Sequence, residues 1–596
     1  MIINITQILK MLSVKILILS LMTLLTWDCD INTKADNPDK VISQKLNEDF
    51  QKVFITRITS LDSTDWLTNY IDNYKLIYNY YSKTNYKPVL IKDFGSIQKV
   101  NSILDYIEQA DNHGINPELY RIEIIKTEIS SALNESIPLN KRYHHLSNVE
   151  MILANSLINY SLHLRKGILD PIKIFGSNYE LPVKNLTEND MTEVLNKNDI
   201  INYLNEIQPR NERYIRLQGT LKKFKELLKE KWEKIPVPNS KIEPGDNFMY
   251  IDHIVNNLTK LGFIDTNKIK ISNKNLYIKE LVEPIKLFQK SHGLIEDGII
   301  GKGTIERLNI NPQKYIEKIK LNLERFRWFD YSDTSKYILV NIPDFKLMIY
   351  ENNYIKDEIK VCVGKKKDWQ TPILYGRISH LILNPTWTVP QRIIQEEIID
   401  GLRKDSLYLK KKNFKAYKKG KPVTIDEINI SELKTKKYTL IQDPGADNAL
   451  GKIKFMFDNQ FSIYLHDTPK RAPFQQANRA VSHGCIRVEK PFQLAGFLLK
   501  DNSDWKNDYI KIETGLPPSN KESIKEYQDF RDKLRRNYSF GKTTEVRLHN
   551  EIPVFIDYFT AWVDENGILN YRDDIYGKDE LLKKHLIDYN FTFSKN

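Results

Sequence analysis

Only three cysteines and eleven histidines occur in these 596 residues, and one short region holds one of the former and two of the latter. Cys485 stands in Ser482-His483-Gly484-Cys485-Ile486-Arg487, and His466 ends the stretch Ser462-Ile463-Tyr464-Leu465-His466 upstream of it. A thiolate is a strong nucleophile near neutral pH once something lowers its pKa or takes its proton. Imidazole is the side chain best matched to that work. Cys485 is therefore the candidate nucleophile, with His466 and His483 as rival bases. A small buried cysteine with two unrelated histidines nearby would leave the packed Ser-His-Gly-Cys-x-Arg run unexplained.

The elements that must position these groups read as strands. Tyr337–Ile342, Phe345–Tyr350 and Ile355–Val363 are apolar runs separated by short turns, the second turn being Glu351-Asn352-Asn353. They predict successive hairpins. Cys362 falls in the alternating run Ile359–Gly364 and reads as core packing. Two prolines interrupt the segment Leu383–Pro390, as befits a loop lining a cleft, so Asn384 and Trp387 become candidate cleft-wall residues. Strand character returns at Lys452–Phe457 and Ser462–His466, and Pro491–Leu499 reads as a helix. Ile552–Val563, a turn at Asp564–Gly567 and Ile568–Tyr571 predict a closing hairpin. Residues 330–585 thus read as one β-rich domain. About 400–440 the strand pattern breaks into a lysine-rich insertion, either a solvated face or a mobile cap over the site.

The remainder of the chain reads as helical support. Residues 46–240 show helical periodicity, for example at Val149, Leu153 and Leu157, or at Leu217, Leu221, Phe224 and Leu228. The scattered histidines His113, His144, His145 and His163 read as surface or capping residues. Residues 244–310 form a compact helical unit with Leu281, Ile285 and Phe288 on one face. At the N-terminus, Lys10 and Lys15 precede the short apolar run Ile16–Leu25, so residues 1–29 read as a signal peptide or membrane anchor, with Cys29 as an alternative lipid attachment point. Residues 30–45 read as a linker. A chain of this length is expected to split into three or four domains. Its 41% hydrophobic and 28% charged content is that of a globular protein, and three sparse cysteines are no disulfide framework. The net charge of +12 fits attraction to an anionic polymer or membrane surface, and no nucleic-acid module accompanies it.

Taken in order, Gly445–Gly451, Lys452–Asn459, Tyr464-Leu-His-Asp-Thr-Pro469, Arg479-Ala480 and Ser482–Val488 resemble the L,D-transpeptidases with a YkuD-type catalytic domain, and more narrowly the large murein L,D-transpeptidases of Gram-negative bacteria. Phe288-Gln289, His292-Gly293-Leu294, Asp297-Gly298 and Thr304 resemble the small three-helix peptidoglycan-binding module, while His113-Gly114 and Arg165–Pro171 carry a weaker scaffold likeness. Many smaller members of the family place asparagine two residues after the cysteine; Arg487 stands here, as in the larger ones. The resemblance implies a multidomain α+β fold: helical scaffold, three-helix module, and a β-rich catalytic domain with an inserted cap.

It also implies a reaction. Cys485 cleaves the terminal D-alanine from a tetrapeptide stem through a thioester, and the side-chain amine of a second stem's diaminopimelate resolves it into a cross-link. His466 matches the family's base position, with the backbone carbonyl of Asp467 orienting its ring, and His483 is left to positioning or charge stabilisation. Backbone N–H groups of Gly484 and Cys485 could cradle the oxyanion, the glycine permitting the tight turn that aims them. Ser482 is a supporting hydroxyl. Arg487 suits a substrate carboxylate, and Tyr464, Trp387 and Asn384 complete the expected substrate side. No cofactor or metal is needed, the partners are peptidoglycan stem peptides, and the location is the periplasm, tethered through the N-terminus. Two alternatives use the same sequence: a non-catalytic wall-binding scaffold, or a cysteine carboxypeptidase with water as acceptor.

Overall fold

The computed structural model describes residues 48–594 apart from 93, 266, 270, 272, 332–334, 503 and 534–541. The expected signal or anchor, the linker and Cys29 lie outside the described residues. The architecture is mixed α and β, with helices N-terminal to a β-rich unit.

The scaffold is built around the helix Leu139–Lys166, which is buried on nearly every side from Tyr143 to Leu164. A helix apolar on one stripe needs one partner; one buried all round needs several. Helices Glu48–Thr59, Tyr74–Lys83 and Ile122–Leu133 supply them. Much of the polar surface this burial strands is answered, Ser161 Oγ being an exception. Glu150 accepts from Tyr81 Oη at 2.6 Å and from the N–H groups of Val89, Leu90 and Ile91. The same wrapping overturns the surface reading of two histidines. His113 is buried against Tyr214 Oη at 2.9 Å, and His163 lies between Tyr120 and Tyr589. Burial pushes them down to about 4 and about 3, so both rings are neutral.

Helices Ile251–Leu261, Val282–Ser291 and Lys302–Leu308 enclose a core of their own, including Ile254, Leu258, Ile285, Phe288 and Ile305. Gln289 ties the unit together. Its buried amide donates to Asp297 Oδ1 and Ile299 O and accepts from the Gly298 N–H, so Gln289, Asp297 and Gly298 meet at one point. His292 is buried and bonded to Tyr315 Oη at 2.8 Å.

The helix Pro312–Trp328 leads into the β unit. There eight strands close into a ring, because Ile373–Leu383 pairs on one side with Ile453–Phe457 and on the other with Thr544–Asp557. Around the ring from Ile453–Phe457 come Leu465–His466, Ile486–Val488, Tyr354–Gly364, Lys346–Glu351, Lys336–Asn341 and Thr544–Asp557. The predicted closing hairpin divides. Ile552–Asp557 belongs to the ring strand, and only Ala561–Val563 turns back on Leu569–Tyr571. A two-residue strand of the helical half, Tyr179-Glu180, adds in parallel to Ile373-Leu374. The helix Glu212–Leu227 packs into the same core as the ring through Tyr214, Leu217, Leu221 and Phe224, whereas Leu228 is exposed.

Residues 387–442 leave the ring between two of its strands and fold separately. Their sheet runs Trp387-Thr388, Tyr438–Gln442, Phe414–Lys418, Lys421–Val423, and its core includes Ile394, Ile398, Leu409 and Leu440.

Candidate active site

Strand register assembles the site. Leu465 pairs with Ile486 and His466 with Arg487 in parallel, while Lys454 pairs with His466 and Arg487 with Cys362, both antiparallel. Paired residues put their side chains on the same face, and the face alternates with period two. Lys454, His466 and Arg487 therefore form one row across three strands. Tyr464 and Cys485, each two positions back, occupy the next.

Tyr464 closes on the thiol. Its backbone N–H and its hydroxyl both reach Cys485 Sγ, and Trp387 reaches the same hydroxyl. Ser462 O lies 3.9 Å from the sulfur. Burial pushes the Cys485 thiol up, and the two Tyr464 donors, Lys454 and Arg487 pull against it without reversing the shift. The resting Cys485 is thus the neutral thiol, and a thiolate there would need a base.

His466, the candidate base, is held as a neutral imidazole. It is buried, and burial pushes it down to about 3, with the charges of Arg487 and Lys454 acting in the same direction. A neutral imidazole can take a proton. Its Nδ1 lies 2.5 Å from Asp467 O, so Nδ1 carries the hydrogen and Nε2 is the accepting nitrogen. That carbonyl is itself fixed. The Asp467 carboxylate accepts from the Lys452 N–H at 2.8 Å and from Arg471 at 2.5 Å.

Ser482 and Gly484 shape the turn. Ser482 Oγ donates to Cys485 O at 2.6 Å and accepts the Gly484 N–H at 3.2 Å; Gly484 sits at φ +108°, and its carbonyl accepts from Thr371 Oγ1 at 2.7 Å. This corrects the expected oxyanion pair, because the Gly484 N–H is already occupied. The Cys485 N–H has no partner among the described residues.

His483 turns away from the row. Its Nε2 lies 2.8 Å from Glu397 Oε1, a close contact outside hydrogen-bond geometry, and its ring meets Trp369 edge to face. Asn384 is also elsewhere. It is buried at φ +44°, its amide donates to Glu513 O at 3.0 Å, and its carbonyl accepts from Thr543, so it serves the fold rather than lining an open wall.

Three residues escaped the sequence reading. Lys454 stacks its ammonium 3.8 Å from the Tyr464 ring centre and has no carboxylate partner among the described residues. Its signal was available: in Ile453-Lys454-Phe455-Met456-Phe457 alternation puts it opposite the buried Ile453 and Phe455. Arg487, which was expected, has no carboxylate partner either. Thr371 and Glu397 carried no signal, since each is brought in by contacts across more than eighty residues. Cys362 is fully buried and pushed up to about 11, consistent with packing alone. No cluster of three or more metal-binding side chains occurs among the described residues.

Residues 335–549 match the family model of the L,D-transpeptidase catalytic domain, YkuD, and residues 75–221 match that of a scaffold domain. A Haemophilus influenzae protein named a putative L,D-transpeptidase is 32% identical over 281 residues, which is 45% of this chain. The match spans 52% of that relative, about half its length. Among solved structures, an L,D-transpeptidase of Xylanimonas cellulosilytica is 12% identical with a TM-score of 0.17, covering 54% of this chain and 100% of its own. Another, from Stackebrandtia nassauensis, is 14% identical with a TM-score of 0.20, covering 54% and 97%. At those scores the structural likeness carries no weight; the family-model match does.

Proposed function

We propose, from the match of residues 335–549 to the family model of the L,D-transpeptidase catalytic domain, that the chain is a peptidoglycan L,D-transpeptidase with Cys485 as nucleophile and His466 as base. His466 Nε2 takes the thiol proton, and the thiolate attacks the carbonyl joining the third residue of a tetrapeptide stem to its terminal D-alanine. The Cys485 N–H receives the oxyanion. Collapse breaks the peptide bond, His466 returns the proton to the departing amine, and a thioester remains. The side-chain amine of a diaminopimelate on a second stem gives a proton to His466 and attacks the thioester. This forms the cross-link and releases the Cys485 thiol. Arg487 and Lys454, both without a carboxylate partner among the described residues, receive the donor stem's C-terminal carboxylate.

Support for this reading comes from a neutral thiol and a neutral imidazole brought to neighbouring paired strands, with the imidazole's tautomer set by Asp467 O. The helical unit at 244–310 is proposed to hold the wall polymer, in a protein exported to the periplasm and tethered by its N-terminus. Mass spectrometry of muropeptides after incubation with tetrapeptide-rich sacculi tests the whole. Dimers joined between third-position residues, absent with Cys485→Ala, are expected. Tripeptides without dimers would make the protein a carboxypeptidase, and unchanged products with Cys485→Ala would remove the cysteine from the mechanism.

A further inference from the structure

The insertion at 387–442 touches the catalytic turn through one helical segment. After Gln391–Ile393 the helix widens into a π turn at Ile394–Ile398 before resuming. Such widenings are rare and recur at functional sites. Here the turn presents two consecutive carboxylates to the loop 365–369 and to His483. Glu396 accepts from Trp369 Nε1 at 3.0 Å and from Arg392 Nε at 2.7 Å. Arg392 stacks 4.0 Å from the Trp369 ring centre and donates to Asp368 O. Trp369, held in this way, packs against the His483 ring at 4.6 Å. Glu397 Oε1 faces His483 Nε2 at 2.8 Å, with Lys365 Nζ 3.7 Å from the same oxygen.

We propose that Glu397 is a positioning residue for the reaction, supplied by the insertion to the catalytic turn. It fixes the His483 ring between its own carboxylate and Trp369, and so sets the turn Ser482–Cys485 in its productive shape only while the insertion is seated. The carboxylate stays ionised for this, held below the usual range first by His483 itself and further by Lys365 and Lys470. With Nε2 facing the Glu397 carboxylate at 2.8 Å, His483 is turned to a supporting duty and leaves proton transfer to His466. An orienting carboxylate behind an imidazole is a general device; what is specific here is that it comes from an inserted unit with its own core, so assembly of the site depends on that unit's placement.

The inference rests on the transpeptidase reading above, and its test runs wild-type protein in parallel to keep the two apart. Single-turnover D-alanine release from a tetrapeptide muropeptide is measured, over hours where needed, for Glu397→Leu, Glu397→Gln, His483→Ala and the Glu397→Leu/His483→Ala pair. Glu397→Leu should lower the rate constant about fivefold, with half-saturation within about twofold, as expected of a partly exposed ion pair. Glu397→Gln, which keeps an accepting oxygen, should recover most of that loss. In the His483→Ala background the Glu397→Leu loss should vanish, because the interaction it removes is already gone. Equal losses in both backgrounds would mean that Glu397 only props the insertion and would overturn the proposal, as would full activity of Glu397→Leu. No release by wild-type protein would instead defeat the transpeptidase reading.

Discussion

His466 Nδ1 sits 2.5 Å from the carbonyl oxygen of the very next residue, Asp467. A backbone acceptor cannot be protonated or swung away, so the ring's tautomer is set without a third charged side chain. The Asp467 carboxylate serves to lock that carbonyl, through Lys452 N and Arg471. If His466 is the base, His466→Ala should lower D-alanine release by about 10²- to 10⁴-fold. Alkylation of Cys485 by iodoacetamide in strong alkali, where hydroxide replaces the base, should stay within about twofold. An equal loss in His483→Ala, with His466→Ala near wild type, would transfer the role to the other ring.

Lys454 and Arg487 flank His466 in one row, and neither has a carboxylate partner among the described residues. Two half-buried cations at a reaction centre suit an anionic substrate group. Lys454→Gln and Arg487→Gln should each raise KM for a tetrapeptide with a free C-terminal carboxylate by about tenfold, the scale of one charge-assisted hydrogen bond. A C-terminally amidated tetrapeptide should bind all three proteins alike. Loss of kcat alone, with KM unmoved for both substrates, would place these cations on the transition state instead.

The chemistry of the site was legible because it is written locally. His466 ends one short strand, and Tyr464 and Cys485 stand immediately before that strand and its parallel partner, so spacing in sequence became spacing in the fold. What was illegible came from long-range packing. Glu397 reaches His483 from a helix in another folded unit, and nothing in Ile393-Ile-Gln-Glu-Glu-Ile-Ile399 says which glutamate faces inward. Asn384 read as a cleft residue because prolines follow it, yet its amide closes a buried junction with Glu513. His113 and His163 read as surface groups because no local pattern tells that a helix is wrapped on all sides.

Two weak scaffold signals turn out to share one partner. Gly114 packs its backbone against Lys320 of the helix Pro312–Trp328, and Gly167, at φ +86°, lies against Glu324 and Trp328 of the same helix. Glu324 Oε1 accepts the N–H groups of Ile168 and Leu169, and its other oxygen pairs at 2.5 Å with Arg327, which donates on to His113 O. This buried pair joins the scaffold to the helix that enters the catalytic ring. Gly167→Ala would set a Cβ 2.6 Å from Glu324 Oε1 in a left-handed backbone. Glu324→Gln leaves the Arg327 charge buried without its counter-ion, at a cost of about 3–5 kcal/mol. In urea titrations both variants should unfold at lower denaturant. Midpoints equal to wild type would show that the junction is not part of the cooperative unit.

Four buried histidines should make the fold acid-sensitive well above the carboxylate range. Burial holds His113 at about 4 and His163, His292 and His466 at about 3. In the unfolded chain each ring takes its proton near pH ~6.5. Between that pH and the folded values the unfolded state binds more protons, so stability present above pH ~6.5 is lost as the pH falls through this window. By pH 5 the loss is about 2 kcal/mol per ring. Carboxylates held low, such as Asp344 and Asp579, remain ionised there in both states and contribute little. Asp72, Glu150 and Asp557 are pushed up by burial and act in the opposite sense, which is why a single-histidine variant makes the sharper comparison. The urea midpoint should fall between pH 7.5 and pH 5, and His163→Gln should flatten that slope by one ring's share. A midpoint independent of pH, or a slope unmoved by the substitution, would mean that these rings gain their protons without unfolding the chain.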